Sequence, residues 1–137
     1  MKLELVADAN IIIAAMLRPG MTRSIIFRPD VSLCAPQIIN VEIGKYREEF
    51  IRRSGLNEKE YDETLSIILS NVEIVPAPEY EFLAREAQKI SPDHDDWAFF
   101  ALALIFDRPI WSNEKILKDQ KKVKVYNTEE ICRLLMP

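Results

Sequence analysis

Short strand-like runs alternate with helix-like segments along the chain, and no other feature restricts the fold so severely. Strands separated by helices are joined by crossovers rather than hairpins, so the pattern requires a parallel sheet with helices on both faces and right-handed connections. The first run, Leu3 to Ala7, is apolar apart from Glu4 and stops at Asp8, as a buried strand ending at a carboxylate does. Ile11 to Leu17 is helical in pattern and stops at Arg18-Pro19-Gly20, after which Thr22 opens a second short helix that Pro29 ends. Val31 to Ala35 is a strand. Pro36 stands where a helix begins, and Ile39, Ile43, Tyr46 and Phe50 recur at spacings of four, three and four, which predicts one amphipathic helix from Pro36 to about Arg53.

Asn57 caps the next helix, whose apolar side carries Leu65, Ile68 and Leu69. Val72 to Val75 is a strand closed by Pro76 and Pro78, and Glu79 to Lys89 reads as a helix with a charged outer face. The acids of "SPDHDD" precede Trp97 to Phe106, so apolar that it predicts a helix buried on more than one side. Pro109 to Ser112 and Lys124 to Tyr126 are strand-like, and Thr128 is placed to cap a last helix with Ile131, Leu134 and Leu135. The expected fold is α/β: a single-domain α/β/α sandwich over residues 1–137, its central sheet mainly parallel and Rossmann-like in topology.

Composition closes off several functions. With 137 residues, 48% of them hydrophobic, there is a core for one domain and no room for a second. The apolar runs fall short of the roughly 18 residues of a membrane span, and no secretory leader is legible, so a cytoplasmic protein is expected. Cys34 and Cys132 lie far apart in apolar surroundings, as reduced core residues rather than a disulfide framework or zinc site. Gly20, Gly44 and Gly55, the only glycines, cannot build a dinucleotide fingerprint or a phosphate loop. One histidine, His94, excludes sites made of several.

The acids remain. Sites in open parallel sheets form outside the carboxyl ends of the strands. Asp8 ends the first strand, Asp96 begins the helix of Trp97, and Glu114 follows "PIWS" by two residues. Glu42 lies within a helix, at the edge of the stripe formed by Ile39, Ile43, Tyr46 and Phe50. Carboxylates crowded together repel, and some keep a proton. A hard divalent cation, Mg2+ or Mn2+, resolves that conflict using oxygen ligands alone. Such an ion orients a phosphodiester, activates water and stabilises the departing oxygen, so the chemistry suggested is phosphodiester hydrolysis.

The segments "VADANIII", "IINVEIGKYREEF" and "DHDDWAFFALALIFDRPIWSNEKIL", in that order, resemble the PIN-domain nucleases, including the VapC-type toxins of bacterial and archaeal toxin–antitoxin pairs. The resemblance spans almost the whole chain. Its most specific part is an acid followed by an alanine-rich helix, a strand and then Ser/Thr-x-acid. It implies a PIN-like parallel sheet flanked by helices and a magnesium- or manganese-dependent endoribonuclease. By motif, Asp8 is the first metal-binding acid, Glu42 the second, and Asp96 the third, sixteen residues before Ser112, with Glu114 in the place of a fourth. Family members usually have aspartate where Glu114 stands and often threonine where Ser112 stands.

Blander roles stand beside these. Asp8 is also placed to cap the helix near Asn10, and Asn10 either bonds locally or supports the metal's water shell. Glu42 would pass for a solvated helix residue. Asp93 is open to both metal contact and capping, since Asp93 with Asp96 three residues on has the spacing of a helix cap, while Asp95 faces solvent. His94 is not needed as a base, and Ser112 lacks the elbow and triad of a nucleophile, so its role is a hydrogen bond to an acid or a phosphate. Trp97, Phe99, Phe100 and Trp111 read as core rather than base-stacking platforms.

The net charge of −4 argues against broad affinity for nucleic acid, but its distribution is uneven. Lys115, Lys118, Lys121, Lys122 and Lys124 fall within ten positions after Glu114, and Arg18 and Arg23 follow the first strand. Arg18, Arg23, Lys115 and Lys118 are candidate contacts to RNA phosphates; a solvated face and a charged guard on an edge strand explain them equally. The partners expected are an RNA substrate, a cognate antitoxin if the chain is a toxin, and a second copy through the short second helix or the helix after Asn57, with no membrane. Three rivals remain: a catalytically degenerate PIN-like RNA-binding or protein-interaction module, a phospho-acceptor receiver domain, and a haloacid-dehalogenase-like phosphatase, whose second aspartate would fall on Asn10.

Overall fold

A computed structural model describes residues 2–136 and realises the alternation as a five-stranded sheet with every neighbouring pair parallel. The strands are β1 (Leu3–Ala7), β2 (Val31–Pro36), β3 (Val72–Val75), β4 (Ile110–Trp111) and β5 (Val125–Tyr126), ordered β3-β2-β1-β4-β5. Flanking them are α1 (Ala9–Leu17), α2 (Met21–Ile26), α3 (Ile39–Gly44), α4 (Arg47–Ser54), α5 (Glu58–Leu69), α6 (Ala84–Ile90), α7 (Trp97–Phe106) and α8 (Thr128–Leu135). The chain moves outward from β1 to β3 and then crosses back to β4, so the order reverses between β1 and β4. A reversal of this kind leaves a crevice outside the carboxyl ends of the two strands. The sheet order also differs from the 2-1-3-4-5 arrangement of flavodoxin-like folds that a receiver domain would need.

Burial follows from the sequence. Leu5, Val6 and Ala7 are consecutive and fully buried, because β1 is central and covered on both faces. Helix α7 buries six consecutive residues, Ala98 to Ala103, between the sheet and α6, as a helix without a polar face must. It ends at Asp107 in the left-handed region (φ 51°), which aspartate tolerates better than most residues. Helix α5 starts in a capping box, Asn57 accepting from the Glu60 N–H while the Glu60 side chain accepts from the Asn57 N–H. Among the described residues no helix is long and apolar enough to cross a membrane. Cys34 is buried, Cys132 half-buried, and neither is in a disulfide.

Three segments depart from the pattern expected of them. The stretch from Pro36 to Arg53 is not one helix. Pro36 closes β2 opposite Val75, and the Gln37 N–H still donates to the Val75 carbonyl, at 2.9 Å. Helix α3 then ends at Gly44, a poor helix former, and Tyr46 leaves helical geometry (φ −124°, ψ 39°) with its ring exposed rather than in the apolar stripe. The break lets Ile39 and Ile43 enter the core from one direction and Phe50 from another. The segment from Glu79 to Lys89 begins as 3-10 turns, Ala77–Glu79 and Glu81–Leu83, and becomes α-helical only at Ala84. Between the turns Tyr80 is buried, its ring centroid 5.9 Å from that of Trp97, and its backbone is non-helical. Finally, Asn127 and not Thr128 caps α8, in a capping box with Glu130. The Thr128 hydroxyl instead accepts from the Trp111 indole N–H at 3.0 Å, supplying the partner a buried indole needs.

Candidate metal centre

The crevice between β1 and β4 gathers acids from separate parts of the chain. Asp8 follows the last residue of β1, Glu42 projects from the first turn of α3, and Asp96 closes a 3-10 turn (His94–Asp96) at the start of α7. Each offers a carboxylate oxygen, and the three lie within 4.8 Å of one another. Asp8 and Asp96 are buried and Glu42 half-buried. Asp8 and Asp96 occupy cap positions, yet neither side chain makes a capping hydrogen bond. The Asp8 carboxylate still feels the backbone N–H groups of Ala9 and Asn10, while it meets Asp96 and Glu42 at the crevice.

Among the described residues no lysine or arginine forms an ion pair with any of the three. Burial pushes the Asp8 carboxyl up to about 6 against the opposing hydrogen bond from Ser112, with the charge of Glu114 adding to the rise. Burial, then the charges of Asp8 and Glu114, takes Glu42 to about 7 and Asp96 to about 8. At neutral pH the site cannot carry its full negative charge without a positive charge among the acids. Three hard oxygen donors with no ion-paired cation among the described residues, Lys45 only partly offsetting the charge of Glu42, fit a divalent cation such as Mg2+ or Mn2+.

Side-chain hydrogen bonds link the ends of β1 and β4. The Ser112 hydroxyl donates to Asp8 Oδ2 at 2.6 Å and accepts from the Glu114 N–H at 3.1 Å. Asn10 Nδ2 donates to Glu114 Oε1. The structure therefore leaves Glu114 at the rim, outside the group of three, with its longer side chain turned to Asn10. Asp93 is also outside; its carboxylate accepts from the Asp95 N–H at 3.0 Å and caps the turn, while its charge helps to raise Asp96. His94 and Asp95 are exposed.

This set of elements and acids can be compared with known proteins. The profile of the PIN domain matches residues 6–133. The chain belongs to the PIN domain family. Members of that family are generally nucleases. This PIN domain is also similar to two solved structures. One is PAE2754 from Pyrobaculum aerophilum, with a TM-score of 0.68 at 16% identity over 98% of this chain and 91% of that one. The other is VapBC2 from Rickettsia felis bound to a DNA fragment from their promoter, with a TM-score of 0.65 at 14% identity over 91% of this chain and 98% of that one. At such identities the likeness is one of fold. No curated protein matches the chain significantly.

The basic residues of the PIN domain divide. Arg23 Nε donates to the Ala15 carbonyl at 2.9 Å and so holds the end of α1. Lys118 pairs with Glu130. Arg18 is exposed beside a small cleft with Asn113 and Thr128, and Lys115 is exposed beside Glu114. Phe99, Phe100 and Trp111 are core, as read from the sequence, but Trp97 is only partly buried. It lines a cleft of about 700 Å³ with Ile38, Val41, Glu42 and Lys45. The sequence carried a sign of this cleft in Ile38 and Val41, apolar residues lying off the buried stripe of α3.

Proposed function

We propose that this PIN domain is a divalent-metal-dependent endoribonuclease that hydrolyses RNA phosphodiester bonds, with Asp8, Glu42 and Asp96 as primary ligands of Mg2+ or Mn2+ and Glu114 in support. The observation that carries this reading is the convergence of three unpaired carboxylates at the crevice between β1 and β4. A cation held by these three acids would supply the positive charge they lack and would polarise water and phosphate. In the reaction, the oxygen of water joins phosphorus, the bond to the departing sugar oxygen breaks, and that oxygen takes a proton.

The chain's own groups have distinct tasks. Asp8 is held in one orientation by Ser112, as a ligand must be to act reproducibly. Asn10 fixes Glu114 at the mouth of the site, where its charge favours cation entry. Lys115, beside Glu114, and Arg18, beside the cleft with Asn113 and Thr128, are assigned to the flanking phosphates, whereas Arg23 and Lys118 have structural partners. A catalytically degenerate module would have no use for three converging acids, which favours the enzyme. The resemblance to VapC-type toxins supports a cytoplasmic setting and a cognate antitoxin as partner. A homodimer is the further assembly proposed, and its test is the solution mass: a monomer at micromolar concentration would remove it.

Calorimetric titration with Mn2+, alongside cleavage of RNA with and without chelator, tests the reading. Saturable binding in the wild type, lost in folded Asp8→Asn and Asp96→Asn variants together with cleavage, is the expected result. A wild type that binds no Mn2+ up to millimolar concentration would overturn it.

A further inference from the structure

Beside the three acids runs the groove between α3 and the start of α7. Its walls are Ile38, Val41 and Trp97, with Lys45 and the exposed His94 and Asp95 on the rim. Val41 is 64% exposed and Ile38 39%, an apolar surface that the fold leaves uncovered. A cleft of about 700 Å³ lies within the range of small-ligand sites, roughly 300–1,000 Å³. What decides its occupant is Glu42, which lines the groove and also belongs to the carboxylate group. Whatever fills the groove therefore lies beside the acids, and under the nuclease reading that is the strand whose phosphodiester they receive, which brings an apolar base face to Trp97 and Val41 and a phosphate to the acids.

We propose that this groove holds an unpaired nucleobase of the RNA strand, stacked on Trp97 and packed against Val41, next to the phosphodiester presented to Asp8, Glu42 and Asp96. The inference rests on the nuclease reading above and adds to it a specificity pocket. Lys45 makes no ion pair among the described residues; its ammonium lies 5.8 Å from the Tyr46 ring centroid, and it is placed on the rim to meet the adjoining phosphate. Tyr80 packs against Trp97 at a tilt of 56°, which limits the freedom of the indole. Bases stacked inside a duplex cannot enter, so the substrate is single-stranded at this position.

The chain has two tryptophans, and Trp111 is fully buried, so Trp97 is the one a ligand can reach. Its fluorescence is to be followed while short single-stranded oligoribonucleotides covering all four bases are added with Ca2+. Saturable quenching by at least one, absent with its duplex, is expected. In Val41→Glu, an exposed position that leaves the core intact, the Kd for that oligonucleotide should rise about 10-fold or more. Absence of quenching by every oligonucleotide in a protein that binds Mn2+ overturns the groove and leaves the nuclease reading standing, as does equal quenching in Val41→Glu. Quenching that follows protein concentration without RNA, from a second copy covering the groove, also overturns it. A wild type that binds no Mn2+ overturns both.

Discussion

Two acidic regions of the molecule have the same side chains and opposite electrostatics. On the surface, Arg47 donates to both carboxylate oxygens of Asp62 and to Glu58, and its hydrogen bonds hold Asp62 below the usual carboxylate range. Arg28 does the same for Asp30. At the crevice, Asp8, Glu42 and Asp96 have no such partner and are all raised. Acids that stabilise a fold come with a counter-charge from the same chain, whereas acids that serve a ligand are left without one and weaken the empty protein.

The largest effect should come from neutralising a crevice acid. Asp8→Asn and Asp96→Asn are expected to weaken Mn2+ binding by about 100-fold or more and to abolish RNA cleavage. The same changes relieve the repulsion, so the metal-free Asp96→Asn protein should melt a few degrees above wild type at about pH 8. Calorimetry and thermal melting measure both. A variant that binds less metal and is also less stable without it would mean that the acids support the fold, and the contrast between the two regions would fail.

Next is pH. For Asp8, Glu42 and Asp96 the folded-state values exceed the ordinary ones, so their protonated forms favour folding. That contribution is complete below about pH 4 and is lost as pH rises through about 6, 7 and 8. The lowered surface acids Asp30 and Asp62 act in the opposite sense, and their contribution is already present by about pH 5. The Tm of metal-free protein should therefore fall between about pH 5 and pH 8, and excess Mn2+ should cancel or reverse the fall. A flat profile without metal would show that the crevice acids are solvated.

How far the sequence shows this contrast depends on whether the signal is local. Strands β1 and β3 and helix α7 were legible to the residue or nearly so, because apolar runs, broken only by Glu4 and Glu73 in the strands and bounded by Asp8, Pro76 or Asp107, leave few alternatives. The placement of Asp8 and Asp96 at element ends facing one crevice was legible from their positions in the pattern. Glu42 needed the family resemblance, since its periodicity alone suits a solvated residue. The break at Gly44 and Tyr46 was hidden because the apolar spacing continues across it, and the 3-10 turns around Tyr80 depend on a contact with Trp97 seventeen residues away. The choice of Asn127 over Thr128 as cap turned on Trp111, again a tertiary partner.

Ser112→Ala probes how the crevice is kept ready. The hydroxyl donates to Asp8 and accepts from the Glu114 N–H, so its loss frees the Asp8 carboxylate to rotate and raises its pKa further. Mn2+ affinity should fall about 10-fold, the lower end of the range for a group that orients a ligand. Ser112→Thr, which keeps the hydroxyl, should restore most of it. If alanine and threonine behave alike, orientation of Asp8 through this hydrogen bond is not what the site requires.

The smallest effect is expected where charge is most visibly paired. Arg47→Lys keeps the positive charge beside Asp62 and Glu58 but cannot reproduce the two-pronged contact with Asp62, and it also weakens the stacking of the guanidinium 5.5 Å from the Tyr61 ring. Because these groups face water, solvent and salt screen the interaction, and the Tm should drop by no more than about 2 °C, with a still smaller drop in high salt. Mn2+ binding should not change. A loss of metal affinity in this variant would instead mean that α4 and α5, which Arg47 ties together, govern the position of α3 and hence of Glu42, and the two acidic regions would then be mechanically coupled rather than independent.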